Sequence, residues 1–250
     1  QRRAAWSDVA RRIAHEIKNP LTPIQLAAER LQRRFGKSIT QDEAIFTQLT
    51  STIVRQVGDL RNIVDEFSSF ARMPKPLFRA ENMPDIVGHA VFMFEVAHPD
   101  IRFTYNQDGP FPTLISDRRQ LGQAITNILK NAVESIEEKK KTSEFDGAIV
   151  IDLVVEGDGL IIRIADNGIG LPSDRQRIME PYITNRATGS GLGLAIVKKI
   201  IEEHFGEISL SDNQPEGAVV TLKFNPEIVE LRVGKLNATP PAVNSDEVMG

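Results

Sequence analysis

From the N-terminus the apolar residues Ala10, Ile13, Ile17, Leu21, Ile24, Ala28, Leu31 and Phe35 recur in steps of three and four. That spacing gathers them on one stripe of an α-helix. Gly36-Lys37-Ser38-Ile39-Thr40 then reads as a helix stop and turn. A second series, Phe46, Leu49, Ile53, Val57, Leu60, Val64, Phe67 and Phe70, repeats the same steps. The pattern predicts an antiparallel hairpin of two long helices, the first spanning residues 1 to about 35. With one apolar stripe per helix, such a hairpin cannot cover itself, whereas pairing with a second copy into a four-helix bundle would. A homodimer is therefore expected. Met73-Pro74-Lys75-Pro76 ends the second helix, because proline cannot continue the ladder and restricts its predecessor, and it bounds a first domain of residues 1–73.

The periodicity then changes to mixed elements. Helices are expected over 83–97, 118–140 and 192–204, with Asp117 as N-cap of the second, and strands over 101–105, 148–156, 160–165, 207–211 and 218–224. Gly157-Asp158-Gly159 is the hairpin turn between the two middle strands. Helices on one face of a mixed sheet make an α/β sandwich, so the chain as a whole reads as α+β, with a second domain over 74–225. Residues 226–250, of mixed polarity and carrying Pro240-Pro241, are expected to be a poorly ordered tail.

Composition narrows the function. The 250 residues are 41% hydrophobic, enough for one or two cores, and the formal net charge of −4 offers no basic field for nucleic acid. The absence of cysteine excludes disulfides and thiolate metal sites. No apolar run approaches the roughly 20 residues of a membrane span. The chain opens at Gln1 rather than Met and already in a helical pattern, so it is expected to be a soluble fragment of a longer protein whose upstream part is missing.

Candidate chemistry begins on the first helix. His15 lies roughly 200° around the helix from Ile13 and Ile17, off the apolar stripe, with Asn19 one turn further along the same outward side and Glu16 on the flank. Pro20 and Pro23 remove the helical bonds to the carbonyls of Glu16 and Asn19, so a bend is expected beside His15. In the second domain, Asn127, Asn131 and Glu134 share a helix face that offers oxygens to a hard cation and amide donors to phosphate. Asp166-Asn167-Gly168-Ile169-Gly170 places a carboxylate at a strand end, suited to an exocyclic amine, beside glycines that allow close backbone approach. Gly189-Ser190-Gly191-Leu192-Gly193 leads into a helix, where backbone amides favour phosphate. Singly, each reads as well as a solvated face or a plain turn.

Together, in this order, they carry a resemblance. His15-Glu16-Ile17-Lys18-Asn19-Pro20-Leu21-Thr22-Pro23 resembles the H-box of sensor histidine kinases, and its continuation through Leu31 is similar to the NtrY type of nitrogen-regulation sensor kinase. The three later clusters resemble the N, G1 and G2 boxes of the ATP domain whose fold is shared with Hsp90, gyrase and MutL. The resemblance spans residues 5–225 and implies a protein histidine kinase using ATP and Mg2+. His15 would take the γ-phosphoryl group and pass it to an Asp in the receiver domain of a response regulator. Asn127, Lys130 and Asn131 would serve phosphates and, through Asn131, magnesium. Asp166, with Gly168 and Gly170, would read adenine, and Gly189, Gly191, Leu192 and Gly193 would hold phosphate. Residues 171–188 would be a lid in which Arg186 touches phosphate; Met179 and Tyr182 depart from the usual phenylalanines and Thr184-Asn185-Arg186 from the common Thr-Thr-Lys. Gly217 matches the last glycine box, although Ala218 stands where a Thr is frequent. The full-length protein would sit in the bacterial inner membrane.

The chemistry expected of His15 is nucleophilic. An imidazole of ordinary pKa, about 6.5, is largely neutral at pH 7. Glu16 is placed to accept a hydrogen bond from its second ring nitrogen, and Asn19 to orient water in a phosphatase reaction on the regulator. Two rivals remain: an ATPase of the gyrase or Hsp90 type using Glu134 as base, which leaves the His15 motif without a task, and a non-catalytic dimeric scaffold.

Overall fold

The computed structural model describes residues 2–36, 39, 42–71, 73–172, 177–180 and 191–238. The chain divides into two compact units: Gln1–Lys75 with Gln176–Ala195, and Pro76–Arg175 with Ile196–Gly250.

The first unit is built on α1 (Arg2–Phe35) and α2 (Glu43–Ala71), which pack along each other. Helix α1 continues through Pro20 and Pro23, so the prolines do not divide it. Ala14, Leu21 and Ala28 on α1 face inward at intervals of seven, as do Thr50, Val57 and Val64 on α2, with Ser68 buried one turn after Val64. This is the spacing of a coiled-coil seam. Thr50 is accommodated there because its hydroxyl donates to the carbonyl of Phe46, at 2.8 Å. Lys18 pairs with Asp65 across the two helices. A second row, Ile17, Ile24 and Leu31 with Phe35 on α1 and Ile45, Leu49, Ile53 and Leu60 on α2, is exposed. The single stripe expected on each helix is thus two stripes, of which the hairpin uses one.

In the second unit β1 (Arg79–Glu81) pairs antiparallel with β3 (Leu114–Ser116). The main sheet comprises β2 (Ile101–Asp108), β4 (Gly147–Glu156), β5 (Gly159–Asp166), β6 (Glu207–Asp212) and β7 (Ala218–Phe224), in the order β2-β4-β5-β7-β6. Only β2 and β4 run parallel; the other neighbours are antiparallel. Along β4 the residues Ile149, Ile151 and Leu153 are fully buried and alternate with half-covered ones, the period-two signature of a sheet with one face on a core. Helix α3 (Met83–Ala97) packs on α4 (Arg118–Lys140), which in turn packs on β4 and β5. Helix α5 (Gly193–Glu203) adds Ile196, Val197, Ile200 and Ile201 to the core of buried residues.

One expectation is corrected at the C-terminus. Residues 226–238 are not a disordered tail but helix α6 (Pro226–Ala238), which packs on β3 and buries Val229 and Val233. Asn225 caps it, its side-chain oxygen accepting from the amide of Ile228 at 3.0 Å, while Pro226 supplies the preset first turn. Residues 239–250 lie outside the described residues.

Candidate functional site

Helix α4 organises the site. Its N-cap is Asp117, as the sequence predicts: one carboxylate oxygen accepts from the amides of Arg119 and Gln120, at 3.0 and 3.1 Å, and the other from the amide of Leu77, at 2.9 Å. Burial pushes the Asp117 carboxyl up, but those three amides outweigh it and hold the pKa below the ordinary 3.8. The amide of Asp117 itself donates to Nε2 of the fully buried His204, at 3.0 Å, and Nδ1 of that ring lies 2.8 Å from the carbonyl of Ile200. These contacts define a neutral imidazole with its proton on Nδ1, and burial keeps its pKa below the ordinary 6.5. His204 thus ties the end of α5 to the start of α4.

From that cap, α4 turns its apolar residues Leu121, Ile125, Ile128, Leu129 and Val133 into the core. Asn127, Asn131 and Glu134 are half-exposed and Lys130 exposed, so the four share the open side, with Lys130 Nζ 3.9 Å from Glu134. This is the face expected from the spacing.

At the C-terminal end of β5 stands Asp166, 6% exposed. Its Oδ1 accepts from Ser135 Oγ at 3.2 Å and from the amide of Gly168 at 2.9 Å. Ser135 lies on α4 one turn beyond Asn131, so a helix of the N-box type and the strand-end carboxylate are joined directly. Gly168 has no room for a side chain: a Cβ there would stand 2.5 Å from the carbonyl carbon of Ser135 and 2.7 Å from the nitrogen of Ile136. The close approach this glycine permits is therefore to α4. Gly170 and Gly217 have φ of +77° and +119°, and a Cβ on Gly217 would overlap the carbonyl oxygen of Asp166.

Neighbouring groups complete the frame. Asn213 donates to the Asp166 carbonyl at 2.8 Å, and Asn167 bridges to β4, accepting from the amide of Ala148 and donating to the carbonyl of Asp146, both at 2.8 Å. Lys139 donates to the carbonyl of Asn167 at 2.9 Å and pairs with Glu216 at 2.8 Å. The sequence reading assigned no role to Ser135, Asn213 or Lys139. Ser135 had a legible signal, being a polar residue on the apolar side of α4, seven positions after Ile128; Asn213 and Lys139 act through contacts no local pattern announces.

The remaining candidates fall in the first unit, some of them among the described residues. Gly191, with φ of +69°, adopts a conformation that favours glycine; Leu192 is fully buried and Gly193 opens α5. His15 and Glu16 are helical in α1, but their side chains lie outside the described residues, as do Arg186 and Gly189. Of the lid expected over 171–188, a short 3-10 turn at Arg177–Met179 is described. Asn19 is exposed. Among the described residues no group of three or more His, Asp, Glu or Cys side chains gathers to cage a metal. The carboxamides of Asn127 and Asn131 with the Glu134 carboxylate instead suit a hard cation that keeps water and phosphate among its ligands. No described helix is long and apolar enough to cross a membrane.

Residues 5–76 match the His Kinase A (phospho-acceptor) domain, and residues 116–228 match the histidine kinase-, DNA gyrase B- and HSP90-like ATPase family. The chain is 55% identical over 218 residues to the nitrogen regulation protein NtrY of Azorhizobium caulinodans, covering 87% of this chain and 28% of that protein. It thus spans little more than a quarter of that curated relative. In fold it resembles full-length ShkA, solved in complex with AMPPNP, with a TM-score of 0.64 at 21% identity over 86% of this chain and 45% of the other. It also resembles the histidine kinase ThkA, solved in complex with the response regulator protein TrrA, with a TM-score of 0.61 at 22% identity over 88% and 61%. A phospho-acceptor helix pair followed by this ATPase domain, in a sequence so close to NtrY, identifies the chain as a member of the NtrY-like sensor histidine kinases.

Proposed function

We propose that the chain is the catalytic core of a two-component sensor kinase that phosphorylates His15 from Mg-ATP and passes the phosphoryl group to an aspartate of a response regulator. The observation that carries this reading is Asp166: a buried carboxylate, fixed at a strand end beside the Asn127, Asn131 and Glu134 face, in a chain whose first helix bears the His15 motif. Asp166 accepts from the adenine amine. The amides of the Gly191–Gly193 turn, with Gly189 and Arg186, hold phosphate, as Lys130 does by charge. Asn131 would hold magnesium, which when bound would neutralise phosphate charge. Phosphoryl transfer depends mainly on positioning and charge, so what the chain contributes is orientation.

In the transfer, a ring nitrogen of neutral His15 attacks the γ-phosphorus, the bond to the bridging oxygen breaks, and ADP leaves. Glu16 accepts a hydrogen bond from the second ring nitrogen and stabilises the imidazolium that forms. Residues 1–73 serve dimerisation and phosphotransfer and the chain from 74 onward binds ATP, a division supported by the matches at 5–76 and 116–228. The exposed row Ile17, Ile24, Leu31, Ile53 and Leu60 supports a homodimer, since a second hairpin would cover it. Exposed Asn19, one turn from His15, orients water for dephosphorylation of the regulator. This core acts on the cytoplasmic side of the inner membrane.

Incubation with γ-labelled ATP tests the reading. Alkali-stable, acid-labile label on the protein is expected, lost in His15→Gln while ATP binding persists. Free phosphate without protein label would mark an ATPase instead, and neither product would mark a scaffold.

A further inference from the structure

We propose that Ser135 is a positioning residue that sets the chain's selectivity for a 6-amino purine, by fixing the Asp166 carboxylate through one of its oxygens. The inference rests on the reading above that Asp166 receives the adenine amine. Ser135 is 3% exposed, on the side of α4 turned to the end of β5. Its hydroxyl oxygen accepts from the amide of Ile169 at 3.1 Å. That contact uses acceptor capacity, so the single hydroxyl proton is directed along the 3.2 Å contact to Asp166 Oδ1. The Gly168 amide reaches the same oxygen at 2.9 Å.

Two donors on one oxygen set the plane of the carboxylate. An exocyclic amine meeting such a carboxylate finds an acceptor in a fixed direction, whereas a 6-oxo or 6-unsubstituted purine brings no donor there. A Cβ on Gly168 would meet the backbone of Ser135 and Ile136 at 2.5 and 2.7 Å, so the turn lies directly against α4. Selectivity is therefore shared between α4 and the strand end.

Calorimetry on the whole chain with Mg2+ and either ATP or purine riboside 5′-triphosphate, which lacks the 6-amino group, tests this. The parent is expected to prefer ATP. Ser135→Ala, which keeps helix propensity and packing, should weaken ATP about tenfold while the amine-free nucleotide stays within about twofold. Ser135→Cys, of similar shape with a weaker donor, should fall between. An unchanged preference in Ser135→Ala would overturn the assignment of Ser135 and leave that of Asp166 standing. Equal weakening of both nucleotides together with a lower melting temperature would also overturn it, since that is the mark of a structural role alone. A parent that binds both nucleotides equally would overturn the Asp166 reading, and this inference with it.

Discussion

In the hairpin, Ile17, Ile24, Leu31, Phe35, Ile45, Leu49, Ile53 and Leu60 are 41–60% exposed, whereas Leu129, Ile149, Ile151, Leu153 and Leu160 of the sheet unit are wholly buried. Both regions are built from amphipathic elements, yet only the sheet unit encloses a core of wholly buried large side chains, because a layer of helices over a sheet face covers what lies between them, while Phe92, Met93 and Val96 of α3 stay exposed. Two helices have only one mutual seam, and a second apolar row on each must find another partner. The hairpin by itself thus leaves a second apolar row uncovered. The core of the sheet unit is completed by its own chain, and its closeness of packing reaches to the glycines of the candidate site.

Disturbing that packing should produce the largest effect. Gly217→Ala puts a methyl into the Asp166 carbonyl at a backbone angle unsuited to any side chain, and should cost on the order of 4 kcal/mol or remove the folded sheet unit altogether. Urea unfolding within 1 kcal/mol of the parent would contradict the placement of Gly217 against Asp166. Next comes the hairpin: Ile53→Asp with Leu60→Asp places charges on the uncovered row and should raise the dimer dissociation constant at least about 100-fold, without melting the sheet unit. Sedimentation showing an intact dimer would mean the row is covered by something other than a second copy.

Removal of residues 226–250 should cost about 2–4 kcal/mol in the sheet unit alone, through exposure of the surface that Val229 and Val233 cover, and thermal unfolding measures it. The smallest effect is a gain. Gly58, inside α2, has open space where a Cβ would go, so Gly58→Ala should stabilise the hairpin by about 0.5–1 kcal/mol, and a loss in circular-dichroism melting would show that the surface at Gly58 is occupied in the assembly.

Much of the fold was legible. The limits of α3 and α4 agree with the expected 83–97 and 118–140, and Asp117 is the cap expected of it. The elements missed were those without a period to read: β1 and β3 are three residues each, and α6 spreads Ile228, Val229, Leu231, Val233 and Leu236 around its circumference so that no stripe stands out. Its Asn225-Pro226-Glu227 start was nevertheless a capping signal present in the sequence. At the site, the polar face of α4 followed from spacing. The partner that holds Asp166 did not, because Ser135 is 31 positions away.

The sequence by itself determined the two-part plan and the order of the functional motifs, since helical and strand periods and short glycine, asparagine and histidine clusters are properties of neighbours along the chain. Tertiary structure alone decided that Ala14, Leu21 and Ala28 rather than Ile17, Ile24 and Leu31 form the inner seam of the hairpin. It alone brought Ser135 and Gly168 to the carboxylate of Asp166 and Asn213 and Gly217 to its backbone carbonyl, and laid α6 on β3. Each of those outcomes is a choice among apolar or polar groups of similar local character, settled by which of them distant segments approach closely enough to exclude water and complete their hydrogen bonds.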